Sequence, residues 1–216
     1  MSMLQDRDKP RVRERLAAMT GPVTLINFTQ ETECQFCRET RELLEDLVQL
    51  NDQLSLTVYD LVADADQAKT YGVDKIPATV LVGEKDYGIR YYGVPAGYEF
   101  ASLLEDIVMV STGDSGLSDE TRARLKELAD PVHLQVFVTP TCPYCPGAVR
   151  LAHQFALETD RVTADMVEAT EFPELSVRYQ VSGVPKTVAN DQSAGEGMMP
   201  EEEFLDRILL AAGRKA

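Results

Sequence analysis

Apolar and polar positions fall in blocks along the chain. The runs VTLINFT (23–29) and HLQVFVT (133–139) are short, rich in β-branched residues and apolar at most positions, which predicts strands buried on both faces. After each, the spacing turns helical. Leu43, Leu44, Leu47 and Val48 form one apolar stripe, and Val149, Ala152, Phe155 and Ala156 form the other. LSLTVYD (54–60) predicts a further strand, followed by a short helix through DADQAKTYGV (64–73). ATVLVG (78–83) and IRYYG (89–93) predict a hairpin turning at Lys85–Asp86, and EFASLLEDIVMV (99–110) a closing helix. Strand, helix, strand, helix, hairpin, helix is an α/β arrangement on a mixed sheet.

The same order then repeats. Cys34 and Cys142 are 108 residues apart, as are Pro77 and Pro185, the tripeptides YGV (71–73) and YQV (179–181), and VYD (58–60) and MVE (166–168). Each unit opens with a charged helix and a proline, Pro22 or Pro131, before its first strand. Past the hairpin, matching Gly93 with Gly197 and Phe100 with Phe204 lowers the offset to 104, so the second hairpin is shorter. A common offset across several landmarks reads as a tandem duplication. The polar segment STGDSGLSDE (111–120) joins the copies and divides the chain into units 1–112 and 113–216.

Composition narrows the functional classes. Hydrophobic residues make up 44% of the 216, enough for packed cores and too many for a disordered chain. Thirty-six acidic against 21 basic side chains give a net charge of −15, the wrong sign for a nucleic-acid surface or an anionic membrane. The charged start MSMLQDRDKPRVRER has no apolar run of the signal-peptide kind, and no segment has the apolar length to span a bilayer. A cytoplasmic protein that engages neither nucleic acid nor membrane is the expectation.

The chemistry lies in the cysteines. All four fall in C-x-x-C pairs, Cys34/Cys37 in TECQFCRE and Cys142/Cys145 in TPTCPYCPGAV, each where a strand hands over to a helix. Thiolate is the reactive form of cysteine, and the unpaired N–H groups and dipole of a helix start favour it. Pro143 and Pro146 suit a first helical turn, whose N–H groups lack intrahelical partners. Pro77 and Pro185 each follow a β-branched residue, Ile76 or Val184, just ahead of a strand. A cis peptide at these points would bring the turn beside the dithiol and leave backbone groups free to pair with a substrate chain. Ile76, Pro77, Val184 and Pro185 are therefore the expected substrate-binding positions. Asp60 and Glu168, equivalent at their strand ends, are candidate proton acceptors for the resolving thiols. Phe36 and Tyr144 are expected to cover the sulfurs. His133 and His153 show no pairing pattern and read as structural.

A C-x-x-C at a helix start with a proline 43 residues later resembles the thioredoxin fold, and CPYC resembles the glutaredoxin motif. Two such units, with TPTCPYCPGAVR, GIRYYGVPAGYEFASLLEDIV and ADMVEATEFPELSVRYQVSGVPK, resemble the protein disulfide oxidoreductases of thermophilic archaea and bacteria over nearly the whole chain. The resemblance implies two tandem thioredoxin-like units, each a mixed sheet flanked by helices, sharing one continuous sheet. It implies that Cys34 and Cys142 attack while Cys37 and Cys145 resolve the mixed disulfide, with no cofactor and no metal. Disulfide-containing proteins would be the substrates and a thioredoxin-reductase-like flavoprotein the electron donor. The chain departs from thioredoxin in two ways. It has no Trp, with Glu33 and Thr141 preceding the first cysteines, and Phe28 and Val136 stand at the spacing where thioredoxins carry a buried Asp.

Two other functions fit the same motifs. An electron relay between a flavoprotein and a peroxiredoxin would follow from the similar tandem module of alkyl hydroperoxide reductase flavoproteins, which keeps only its second C-x-x-C. A non-catalytic module stabilised by a four-cysteine zinc site would need the distant pairs brought together. Between the two dithiols, Glu31, Glu33 and Glu39 crowd Cys34, with Arg38 and Arg41 also near in sequence. The neighbours of Cys142 are uncharged. Negative charge disfavours thiolate, so Cys142 is expected to be the more reactive.

Overall fold

In the computed structural model, which describes residues 3–213, the elements follow the repeat. The first half runs α1 (Lys9–Leu16), β1 (Val23–Thr29), α2 (Cys37–Val48), β2 (Leu54–Asp60), α3 (Ala65–Tyr71), β3 (Ala78–Val82), β4 (Asp86–Tyr92) and α4 (Glu99–Thr112). The second runs α5 (Asp119–Lys126), β5 (Val132–Val138), α6 (Cys145–Glu158), β6 (Val162–Glu168), α7 (Pro173–Arg178), β7 (Lys186–Ala189), β8 (Gln192–Glu196) and α8 (Glu201–Ala212). The strands make one eight-stranded sheet in the order β2-β1-β3-β4-β6-β5-β7-β8. The expected continuous sheet is present.

β4 and β6 close the sheet between the halves as a parallel pair, from Ile89 opposite Ala164 to Tyr92 opposite Val167. The seam is sealed on both faces. Tyr91 and Met166 join the larger core, while Tyr92 and Val167 join the smaller one. Each fully buried apolar side chain of this size contributes on the order of 1.5–3 kcal/mol, so the halves are held by core packing as well as by the strand ladder. The larger core lies under α1, α2, α4, α5, α6 and α8; the smaller lies under the two short helices α3 and α7. Phe155 of α6 and Phe204 of α8 meet edge to face with ring centroids 5.5 Å apart.

β5 runs from Val132 to Val138, one residue earlier than the apolar run 133–139 and one later than β1 displaced by 108. Phe28 lies against Tyr59 and Tyr71. Its structural counterpart against Tyr179 is Phe137, not Val136. The link from strand to first cysteine is one residue shorter in the second unit. Because strand side chains alternate between faces, that deletion had to be absorbed in the loop, outside the ladder. Among the described residues no helix is long and apolar enough to cross a membrane.

Candidate active site

Both cysteine pairs are closed as disulfides, Cys34–Cys37 and Cys142–Cys145, each with its Cα atoms 5.5 Å apart. The helices begin at the second cysteine of each pair, after Phe36 and Tyr144 as N-caps. This corrects the expectation that Pro143 and Pro146 both lie in the first helical turn. Only Pro146 lies in the first turn of α6; Pro143 sits in the preceding turn, where it disfavours helical geometry at Cys142. The attacking sulfurs are thus held at the helix starts by the disulfide ring rather than by the helix itself.

Strand directions fix where the two sites stand. β1 is antiparallel to β3, β3 to β4, and β4, β6 and β5 run parallel. β1 and β5 therefore point the same way, and both dithiols sit on the same edge of the sheet. Four strand spacings separate them, roughly 19 Å at about 4.8 Å per step. A four-cysteine zinc site needs every sulfur about 2.3 Å from one metal, so the zinc reading is excluded by the sheet.

The bonds Ile76–Pro77 and Val184–Pro185 are both cis. Pro77 and Pro185 are buried, and Ile76 and Val184 are half-buried ahead of them. At the second site the Val184 carbonyl oxygen lies 3.7 Å from Cys142 Sγ, which brings the turn against the dithiol. The other wall comes from the first unit. Tyr98 N–H donates to the Pro140 carbonyl at 3.0 Å, beside Gly97. Gly97 has φ +62°, and a Cβ there would stand 2.1 Å from the Pro140 oxygen, so only glycine admits this approach.

The sulfurs differ in cover. Cys37 and Cys145 are buried, Cys142 is 7% exposed, and Cys34 is half-buried. Phe36 packs against the larger core, whereas Tyr144 is 65% exposed. Arg38 is engaged with Glu39 at 3.3 Å and Arg41 with Glu45 at 2.7 Å. Glu31 and Glu33 stand exposed beside Cys34.

The two candidate acceptors have diverged. Asp60 is partly exposed and its carboxylate accepts from the Val62 and Ala63 N–H groups at 2.9 and 2.8 Å, closing the turn after β2. Glu168 is buried. One of its oxygens accepts from Thr170 Oγ1 and the Glu171 N–H, both at 2.7 Å, and the other has no partner. Glu168 helps line a cavity of about 270 Å³ with Glu171, Pro140, Phe36 and Glu39, so it faces the first unit across the seam. Burial pushes the Glu171 carboxyl up to about 7, a bond from the Val94 N–H opposes this, and Glu168 adds to it.

A second group of buried polar residues was not singled out from the sequence. Glu99, Ser102 and Asp106 form one stripe of α4, all buried. Glu99 accepts from Ser102 Oγ at 2.8 Å, and Asp106 accepts from the Tyr91 hydroxyl and from His153 Nδ1. α4 and α6 run side by side in parallel. Glu105 meets Arg150, 45 residues on, and Asp106 meets His153, 47 on. Carried back to the start of α6, the same register puts position 99 level with position 145, and both residues are buried. Burial raises the Glu99 carboxyl to about 7, against the pull of Ser102 and His153. Acids at 99 and 106 within an otherwise apolar helix were the available signal; the helix they face was not visible from the chain. His133 also has a carboxylate partner, Asp165, at 2.6 Å from Nε2.

Paired disulfides at two helix starts, each beside a cis-proline on a thioredoxin-like sheet, define a dithiol–disulfide oxidoreductase. Residues 132–210 match the thioredoxin domain family. The chain is similar in structure to a protein disulfide oxidoreductase from Aeropyrum pernix K1, with 33% identity and a TM-score of 0.93 over 100% of this chain and 97% of that one. The chain belongs to the protein disulfide oxidoreductases. It is also 25% identical over 206 residues to an alkyl hydroperoxide reductase component of Staphylococcus aureus, and spans 38% of that protein's length. The N-terminal domain of the Enterococcus faecalis alkyl hydroperoxide reductase AhpF has the same fold, with a TM-score of 0.87 at 23% identity over 95% of this chain and 99% of that one.

Proposed function

We propose that the chain exchanges disulfides with protein substrates at both C-x-x-C pairs, and that units 1–112 and 113–216 each carry one site. Cys142 thiolate attacks a substrate disulfide, giving a mixed disulfide and releasing one substrate thiolate. Cys145 then attacks Cys142 Sγ, the internal disulfide forms, and the second substrate thiolate leaves. Cys34 and Cys37 carry out the same steps at the other site. Ile76–Pro77 and Val184–Pro185 present backbone groups for the substrate strand; the 3.7 Å approach of the Val184 oxygen to Cys142 Sγ is the observation that supports this most directly.

Glu99 takes the proton of the Cys145 thiol. It is buried at the level of that sulfur, and its pKa of about 7 suits both accepting and returning a proton near neutral pH. Glu168 and Glu171 lie beside Phe36 and Glu39 and serve the first site in the same sense. Asp60, committed to its turn, is the weaker candidate. A reaction in the cytoplasm with a thioredoxin-reductase-like flavoprotein as donor completes the reading. The test is dithiothreitol-driven reduction of insulin by the wild type and by a Cys34→Ser/Cys142→Ser variant. Equal rates would end the proposal.

Similarity to an alkyl hydroperoxide reductase component across 95% of the chain favours a second reading, a relay from a flavoprotein to a peroxiredoxin. NADPH oxidation with a thioredoxin-reductase-like flavoprotein, with and without peroxiredoxin, separates the two. A rate that depends on peroxiredoxin and peroxide supports the relay.

A further inference from the structure

If Glu99 takes the Cys145 proton, that proton must still reach water. Glu99 is 1% exposed and Cys145 is fully buried, so neither discharges directly to solvent. The cluster that holds Glu99 contains three buried polar atoms without a partner: Glu99 Oε1, His153 Nε2 and Asp106 Oδ1. So many unpaired atoms in one place call for a physical account, because each costs about 1–3 kcal/mol in desolvation.

The bonds of Asp106 set the state of His153. Asp106 Oδ2 accepts from the Tyr91 hydroxyl and from His153 Nδ1. Burial and Asp106 keep the Tyr91 phenol protonated, well above its ordinary range. The imidazole therefore donates to Asp106 from Nδ1, and Nε2 is left without a partner in a fully buried side chain. His153 stands eight residues beyond Cys145 on α6, and Asp106 seven beyond Glu99 on α4, so each pair lies about two turns apart on one stripe. At the far end Asp106, itself as buried as Glu99, differs in backing onto the wall of a cavity of about 390 Å³ shared with Arg15, Glu105, Arg150 and Gln154.

We infer that His153 and Asp106 conduct protons between Glu99 and the water of that cavity, and so couple the buried Cys145 thiol to solvent. The inference rests on Glu99 as the acceptor and adds the route. In the oxidising half-reaction Cys145 S–H gives its proton to the Glu99 carboxylate. The Cys145 electron pair forms the bond to Cys142 Sγ, and the bond from Cys142 to the substrate sulfur breaks. The substrate sulfur leaves as thiolate and takes a proton from water. Protonated Glu99 gives its proton to His153 Nε2 through intervening water, since neither atom has a hydrogen-bond partner in the resting fold, and His153 releases the Nδ1 proton through Asp106 to the cavity. Reduction of the disulfide runs the path backwards. The titratable and charged groups around the imidazole are Glu99, Glu105 and Asp106 on α4, Tyr91 on β4, and Arg150 on α6 itself. Glu105 is occupied by Arg15 at 3.2 Å and Arg150 at 3.4 Å. The first unit holds no equivalent: position 45, which matches 153 in the repeat, is Glu45, and it is paired with Arg41 on the surface.

The experiment uses the full chain with Cys34→Ser and Cys37→Ser, so that only Cys142/Cys145 turns over, and reads single-turnover reduction of insulin against pH in H2O and D2O. His153→Asn keeps a donor to Asp106 but cannot take up and hand on a proton. It should slow the exchange about tenfold and enlarge the solvent isotope effect, a part of the roughly 10²–10⁴-fold that a positioned acid or base supplies. Asp106→Asn should do the same and stands in if His153→Asn fails to fold. Glu99→Gln in the same background separates the two claims. A slow Glu99→Gln beside His153→Asn and Asp106→Asn at the parent's rate and isotope effect overturns the conduit and leaves Glu99 as acceptor. A Glu99→Gln as fast as the parent overturns both.

Discussion

At Cys34 the sulfur is half-buried, Glu31 and Glu33 stand exposed beside it, and the nearby arginines are taken up by Glu39 and Glu45. At Cys142, 108 residues on, the sulfur is 7% exposed, its sequence neighbours are uncharged, and α4 of the other unit covers its helix. Both sites share the same strand, helix and cis-proline. What differs comes from the opposite half: Glu168 and Glu171 line a cavity with Phe36 and Glu39, and Gly97 and Tyr98 close on Pro140 just before Cys142. Each dithiol thus has residues of the opposite half near it, and Cys142 is the more enclosed of the two attacking cysteines.

The largest expected effect breaks the symmetry between the dithiols directly. Cys142→Ser should cost at least about tenfold more insulin-reductase activity than Cys34→Ser, since a positioned acid–base partner alone is worth roughly 10²–10⁴-fold. Equal losses would mean that the enclosure of the second site has no kinetic consequence.

Next comes the stability contributed by Glu99. Burial holds the Glu99 carboxyl up at about 7 in the fold against 4.5 for the free side chain. A raised folded pKa means that the folded state binds the proton more tightly. Its contribution is fully present below about pH 4.5 and lost as pH rises through about 7, on the order of 2–3 kcal/mol. Glu99→Gln should therefore melt higher than the wild type at pH 8 and at nearly the same temperature at pH 4.5, while the second site slows. Glu171→Gln should show the same sign of pH dependence, because its carboxyl is also held up at about 7, but with the kinetic loss at the first site. Melting curves at the two pH values check both.

The smallest effect concerns Glu33. Its backbone sits at φ +59°, a conformation that asparagine adopts more readily, and its charge stands next to Cys34. In reduced protein, Cys142 should alkylate with iodoacetamide a few-fold faster than Cys34 near neutral pH, because exposed charges are worth about 1 kcal/mol or less. Glu33→Asn should narrow that gap and leave stability unchanged or raised by up to about 1 kcal/mol. Mass spectrometry of the alkylated thiols reads both rates at once. Faster alkylation of Cys34 in the wild type would show that its greater exposure outweighs the charge.

Much of this protein was legible along the chain, because local chemistry repeats locally. β-Branched runs named β1 and β2 to the residue, the shared offset matched the repeated order of elements, and the cysteine and proline spacings marked both dithiols and both cis bonds. The misses have equally physical causes. The start of α6 at Cys145 and the one-residue shift of β5 were set by turn geometry and strand register, which spacing does not report. Asp60 and Glu168 look equivalent in sequence, yet one closes a turn at the surface and the other is buried at the seam, because β2 is an edge strand and β6 is central. His153, Asp106 and Glu99 carry no motif at all. Sequence by itself determined the elements, the repeat and the reactive sulfurs, since these depend on side-chain patterns within a few turns of chain. The tertiary structure alone decided which acids meet which thiols, because that depends on β4 pairing with β6 and α4 lying along α6, contacts between residues 45 and more positions apart.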